Sequence, residues 1–249
     1  MEQSLRSRYL DLLQAILCNT IYEDAPIPMW GEQPYSADER SGGRDWPSVA
    51  HSMIGTRRMA QLRGACETVL QEQIPGDLIE TGVWRGGAGI MMRGVLAAYG
   101  DTSRRVWLAD SFEGLPAPDV AQFPQDAESR FHTYAPLAVS LEQVQANFAK
   151  YGLLDQQLVF VKGWFRETLP GLPVERLAVL RLDGDMYEST RNALDNLYRR
   201  VSPGGYVIVD DYGMVPECRA ATDDFRREQR IDTPMTDIDG VGVFWRVPR

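Results

Sequence analysis

From residue 76 onward short apolar runs alternate with helical stretches, and that alternation restricts the fold more than any other feature of the chain. "GDLIETGV" (76–83) reads as a strand and leads into the helix "GGAGIMMRGVLAAYG" (86–100). "RRVWLADS" (104–111) is a second strand, and the helical "VSLEQVQANFAKYGL" (139–153) feeds a third, "QLVFVKGWF" (157–165). "RLAVLRLDGD" (176–185), the helix "STRNALDNLYRR" (189–200) and "GGYVIVDDY" (204–212) continue the series. Apolar strands separated by helices cannot pair as hairpins. They predict a parallel sheet covered by helices on both faces, a doubly wound α/β fold. After the helix "ECRAATDDFRREQR" (217–230), "PMTDIDGVGVFWRV" (234–247) holds two short runs joined near Asp239-Gly240, which predicts an antiparallel hairpin at one edge. The expected sheet is therefore seven-stranded and mostly parallel.

Ahead of this core, apolar residues at helical spacing (Leu5, Tyr9, Leu12, Leu13, Ile16) predict a helix over 3–18, and 52–73 predicts another that stops at Pro75-Gly76. Between them, residues 23–50 are rich in Pro, Gly and acids and carry Trp30 and Trp46, the composition of a long functional loop. The N-terminus carries charges through its apolar positions, so it reads as an amphipathic helix and not a targeting peptide. No apolar run is long enough to span a bilayer. Cys18, Cys66 and Cys218 form no ligand pattern, as expected of inert thiols in a reducing cytoplasm. The formal net charge of -9 argues against a nucleic-acid partner and for a small-molecule one.

In sheets of this kind ligands bind outside the carboxyl ends of the strands, where the strand order reverses. The acidic motifs sit on that rim. "ETGVWRGG" (80–87) follows the first strand with glycines but is neither a dinucleotide fingerprint nor a P-loop. Its carboxylate, Glu80, would repel a pyrophosphate and could pair with an ammonium. That suits S-adenosylmethionine, which has an amino-acid end and a sulfonium but no phosphate; the plainer reading is a turn that lets helix and strand pack. Asp110, ending the second strand, is placed to accept from ribose hydroxyls or to cap the following turn. Trp164 and Phe165 either face an adenine or belong to the core. Asp183, Asp210 and Asp211 should lie on neighbouring strand ends, and hard oxygen ligands of this type suit Mg²⁺, Mn²⁺ or Ca²⁺. With two histidines in the chain, His51 and His132, a zinc site is not expected. Asp185 could act as general base or as a further ligand.

The motifs "AHSMIG" (50–55), "ETGVWRGG", "ADSFEGLP" (109–116), "KGWF" (162–165), "DGD" (183–185) and "DDY" (210–212) together resemble the macrocin O-methyltransferase (TylF-like) family over nearly the whole chain. The resemblance implies a class I S-adenosylmethionine-dependent methyltransferase of Rossmann-like fold. Such an enzyme uses Mg²⁺ to methylate a hydroxyl, typically on a deoxysugar of a glycosylated natural product such as a macrolide or aminocoumarin. It implies that Asp183, Asp210 and Asp211 bind the metal and that Asp185 is the base. By the same resemblance Glu80, Thr81, Gly82, Asp110, Ser111, Gly163, Trp164 and Asp183 line the cofactor site, and Met53 and Ile54 close over its methionine end. It also implies a homo-oligomer.

One methyltransferase domain over 1–249 is expected, with N-terminal helices and lid in 1–75 and a core in 76–249 that carries a lid insertion near 113–140. The lids, with Phe123, Phe131 and Tyr134 in the second, should choose the acceptor. His132 there is either an alternative base or a surface residue. A nicotinamide dehydrogenase would want the glycine fingerprint, and a metal-dependent hydrolase leaves Glu80 and Asp110 unexplained. Methylation of a non-sugar hydroxyl or of a nucleotide-sugar, or an inactive cofactor-binding regulator, remain the alternatives.

Overall fold

The computed structural model describes residues 4–29 and 31–249; Trp30, expected on the first lid, lies outside them. Strands β1 (Asp77–Thr81), β2 (Val106–Asp110), β3 (Leu158–Lys162), β4 (Leu177–Leu182) and β5 (Val201–Val209) run parallel. β6 (Thr236–Asp237) and β7 (Val243–Arg246) form the hairpin, with β7 antiparallel to β5, and the sheet order is β3-β2-β1-β4-β5-β7-β6. The order reverses between β1 and β4, which places the crevice at their carboxyl ends.

The two faces of the sheet follow the period of 2 along each strand. Leu78, Val106, Leu108, Val179 and Ile208 point into one core, and Ile79, Trp107, Ala109, Leu180, Val207 and Val209 into the other. Each fully buried aliphatic side chain contributes about 1.5–3 kcal/mol, which sets the register firmly. The first core is closed by α3 (Gly55–Gln71), α4 (Gly87–Tyr99) and α5 (Leu141–Lys150), the second by α7 (Tyr187–Leu197) and α8 (Pro216–Glu228). Every residue of α4 from Gly87 to Leu96 is buried. A helix buried on all sides needs a second cover, and α1 (Leu5–Leu17) supplies it with Leu10, Leu13 and Leu17.

Two local differences from expectation have physical causes. β5 begins at Val201, three residues ahead of the expected start at Gly204; the pairing with β4 shifts register between Leu177 and Val179, and Pro203 faces solvent. The loop over 23–50 contains a short helix, α2 (Ala37–Ser41), capped by Ser36. Arg40 is the reason the loop holds its shape. It is 1% exposed and bonds both oxygens of Asp45, the carboxylate and carbonyl of Asp24, and the carbonyl of Cys18.

Candidate active site

A cavity of about 680 Å³ opens over the carboxyl ends of β1 to β5. Gly82 starts the first turn with φ +93°, and a Cβ there would overlap the carbonyl oxygen of Asp183. Only a glycine lets the ends of β1 and β4 approach so closely. Asp110 accepts from the amides of Val83 and Phe112, both at 2.6 Å, so it braces the turns after β1 and β2 while lining the cavity. Ser111 donates to the carbonyl of Gly114 at 2.6 Å. Gly163, Trp164 and Phe165, at the head of the short α6 (Phe165–Thr168), line the same wall.

Asp183, Asp210 and Asp211 each offer an oxygen within 4.8 Å of the others. Burial raises the carboxyl of Asp211 well above its ordinary range, and the charges of Asp185, Asp183 and Asp210 push the same way. Its Oδ2 is buried without a hydrogen-bond partner. A compact, oxygen-only donor set with excess negative charge and a buried, unmatched lone pair fits a hard divalent cation. Asp185 also lines the cavity and sits at φ +57°, a left-handed conformation that asparagine and aspartate tolerate better than most residues. Its carboxyl is raised to about 8, by burial first and then by Asp183, Asp210 and Glu217.

Two arginines within this acidic cluster are not anticipated from the sequence pattern. Arg181 donates to Glu80 at 2.7 Å, to Asp183 at 2.8 Å and to Asp210 at 2.5 Å. Burial opposes its charge, but the carboxylates of Asp210, Asp183 and Glu80 outweigh that and hold the guanidinium ionised. Arg58, from the first turn of α3, reaches the second oxygen of Asp210. The signal for Arg181 was there to read: a charged residue inside the buried run "LAVLRL" requires a partner. Glu80 and Arg181 are register neighbours, and the two-residue period puts them on the face that carries Leu78 and Val179.

Glu80, expected to meet a ligand ammonium, is therefore a partner of Arg181. It is 1% exposed, is not part of the cavity wall, and burial raises it to about 8 against the pull of Arg181. Thr81 also lies behind the wall, its hydroxyl on the carbonyl of Arg181. Met53 lines the cavity, whereas Ile54 is buried in the core beside it. His132 is exposed on the insertion and off the cavity wall. His51 contacts the Tyr151 hydroxyl at 2.6 Å.

The lids meet above the cavity. Trp46 packs edge-on against Tyr134 at 5.8 Å between centroids, and the Trp84 indole donates to the carbonyl of Pro136 at 2.9 Å. Asp126 of the insertion is fully buried and accepts from the amides of Tyr187 and Glu188. It thereby caps α7, whose own N-cap Met186 has no side-chain acceptor.

The profile of the family described as Macrocin-O-methyltransferase (TylF) matches residues 6–247. The chain is 55% identical over 249 residues to the 8-demethyl-8-(2,3-dimethoxy-alpha-L-rhamnosyl)-tetracenomycin-C 4'-O-methyltransferase of Streptomyces olivaceus, covering 99% of this chain and 95% of that one. It is 46% identical to the Mycinamicin III 3''-O-methyltransferase of Micromonospora griseorubida, covering 96% and 95%. Its fold matches the solved structure of the O-methyltransferase NovP at a TM-score of 0.94 with 48% identity, over 98% of this chain and 100% of that one.

Proposed function

The chain belongs to the macrocin O-methyltransferase family, and from that premise we propose that it methylates a hydroxyl of a deoxysugar on a glycosylated natural product. In this reading S-adenosylmethionine is the methyl donor, Asp183, Asp210 and Asp211 hold Mg²⁺, and Asp185 is the base. The observation that carries it is the acidic triad, with oxygens within 4.8 Å, opening on the same cavity as Asp110 and Trp164. The sugar acceptor is supported by the relative whose substrate is a rhamnosyl tetracenomycin.

When bound, the sulfonium supplies an electrophilic methyl group and the dication lowers the pKa of a hydroxyl it touches. Asp185 takes the hydroxyl proton on its carboxylate, and burial makes that carboxylate a stronger base than a free one. Asp110, Ser111, Gly163 and Trp164 form the cofactor wall, with Met53 across the cavity. Glu80 acts behind that wall by holding Arg181, and so Asp183 and Asp210, in place. Trp46 and Tyr134 cover the opening and keep water from competing with the acceptor. Assembly as a homo-oligomer belongs to the same proposal. It is supported by the exposed apolar residues Leu5, Tyr9 and Leu12 along α1, and light scattering tests it.

The test is methyl transfer from labelled S-adenosylmethionine to rhamnosylated polyketide acceptors, with and without chelator. Product that forms with Mg²⁺, disappears on chelation and returns on readdition supports the reading. Transfer undiminished in metal-free buffer refutes the metal site, and no binding of S-adenosylmethionine refutes the whole assignment.

A further inference from the structure

Arg58 lies on the N-terminal side of the molecule, outside the sheet, yet its guanidinium ends among the carboxylates at the tip of β5. It is 5% exposed. Its Nη1 donates to Oδ2 of Asp210, its Nε to Asp239 at 3.2 Å, and its Nη2 to the carbonyls of Gly42 at 3.4 Å and Gly43 at 3.2 Å. One side chain thus joins the turn after α2, the β6–β7 connection and a carboxylate of the triad.

The path it follows is kept open by glycines. A Cβ on Gly43 would collide with the Arg58 guanidinium, and one on Gly242 would come within 2.9 Å of its Cδ. Gly43 also has φ +61°, so a side chain there is disfavoured by backbone as well as by space. At the far end, Asp210 is gripped from two sides. Arg181 of β4 takes Oδ1 and Arg58 takes Oδ2, which fixes the carboxylate plane. The Arg181 half of the grip is part of the sheet. The Arg58 half belongs to α3 and also bonds the turn that leads to Arg44 and Trp46 on the cavity wall.

We propose that Arg58 is a positioning residue that latches the 42–43 turn of the first lid to Asp210, so that lid placement and the aim of a metal-ligating carboxylate are set together. The proposal rests on the metal site inferred above. A planar guanidinium suits the task because it donates in three directions at once. A lysine ammonium, a single point on a flexible stem, can satisfy Asp210 or the lid carbonyls but not both.

Full-length Arg58→Met, Arg58→Lys and Asp210→Asn variants test this by three readouts. Hydrogen exchange of residues 37–50 is followed without metal or cofactor, Mn²⁺ binding by electron paramagnetic resonance, and S-adenosylmethionine binding by calorimetry. In Arg58→Met, exchange in 37–50 should accelerate roughly tenfold or more, since charged hydrogen bonds are lost there. Mn²⁺ affinity should fall roughly 10–100-fold, as for loss of a group that orients a metal ligand. S-adenosylmethionine affinity should stay within about threefold, because Arg58, though it lines the cavity, sends its hydrogen bonds to Asp210, Asp239 and the 42–43 turn and not to Asp110, Ser111, Gly163 or Trp164. Arg58→Lys should fall between, and Asp210→Asn should also accelerate exchange in 37–50. Unchanged exchange in Arg58→Met or in Asp210→Asn overturns the latch. Faster exchange with undiminished Mn²⁺ affinity overturns the coupling, and a parallel loss of cofactor binding reduces Arg58 to a folding role. If the unaltered protein binds no Mn²⁺, the metal reading fails by itself, and the exchange of the Arg58 and Asp210 variants still decides the latch.

Discussion

Replacing Arg181 by methionine removes a buried cation while keeping most of the side-chain volume. Three carboxylates lose a partner, with unequal consequences. The Asp183 side chain is 26% exposed and can take up cavity water, and Asp210 keeps Arg58. Glu80, 1% exposed, loses the one ionic partner it has among the described residues. Leaving one buried acid charged and uncompensated costs at most about 3–5 kcal/mol, and Glu80, already raised to about 8, sheds part of that by taking up a proton. That is a large share of the ~5–15 kcal/mol that holds a typical domain together. Adding Glu80→Gln removes the orphaned acid, so the double variant should recover about 1–3 kcal/mol of the loss above pH 8, where the acid would otherwise ionise. Urea unfolding followed by tryptophan fluorescence, in chelator and at constant m, measures each corner of the cycle. A loss under about 1 kcal/mol in Arg181→Met, or an equal loss in the Glu80→Gln background, would refute Arg181 as the internal counter-ion.

Asp185→Asn should lower kcat roughly 10²–10⁴-fold and leave the dissociation constant of S-adenosylmethionine nearly unchanged, as single-turnover and calorimetric measurements would show; a drop below tenfold removes Asp185 as the base. Burial, aided by Lys150 and Arg85, depresses His51 to about 4. The unfolded chain then binds the extra proton between pH 6.5 and 4, so this residue's contribution is complete above pH 6.5 and is lost as pH falls through that window. The loss is about 1–2 kcal/mol after allowing for its partial exposure, and His51→Gln should flatten the melting-temperature profile there; parallel profiles would count against it. Gly82→Ala should fail to fold or lose metal and cofactor sites together, because its Cβ has no room beside Asp183 and φ is +93°. A soluble, active Gly82→Ala protein would show that the approach of β1 to β4 is not needed.

The fold was readable because its signals are local and repeated. "DLIET", "VWLAD" and "LAVLRL" are short, apolar and followed by helical spacing, and each is a strand in the parallel sheet. The acids at the rim were readable for the same reason, since a residue's place at a strand end follows from the strand. What did not show in the pattern is which carboxylates face the cavity and which face the protein. Glu80 and Asp210 look alike in the sequence, both acids at or beside strand ends. Glu80 nonetheless turns towards Arg181 behind the wall, and Asp210 joins the triad. Asp126 was equally hidden, because its partners, the amides that open α7, lie some sixty residues along the chain.

By itself, then, the sequence determined the order of strands and helices, the antiparallel hairpin, and the rim on which chemistry would take place. Hydrophobic period and turn chemistry act over a few residues and need no knowledge of distant neighbours. Only the tertiary structure decided how the charges compensate one another. Arg58 and Arg181 enter the acidic cluster from a helix outside the sheet and from near the carboxyl end of a strand, and the lids close on each other through Trp46 and Tyr134. Electrostatic partnership is set by distance and burial in three dimensions, and neither is written in the spacing of residues along the chain.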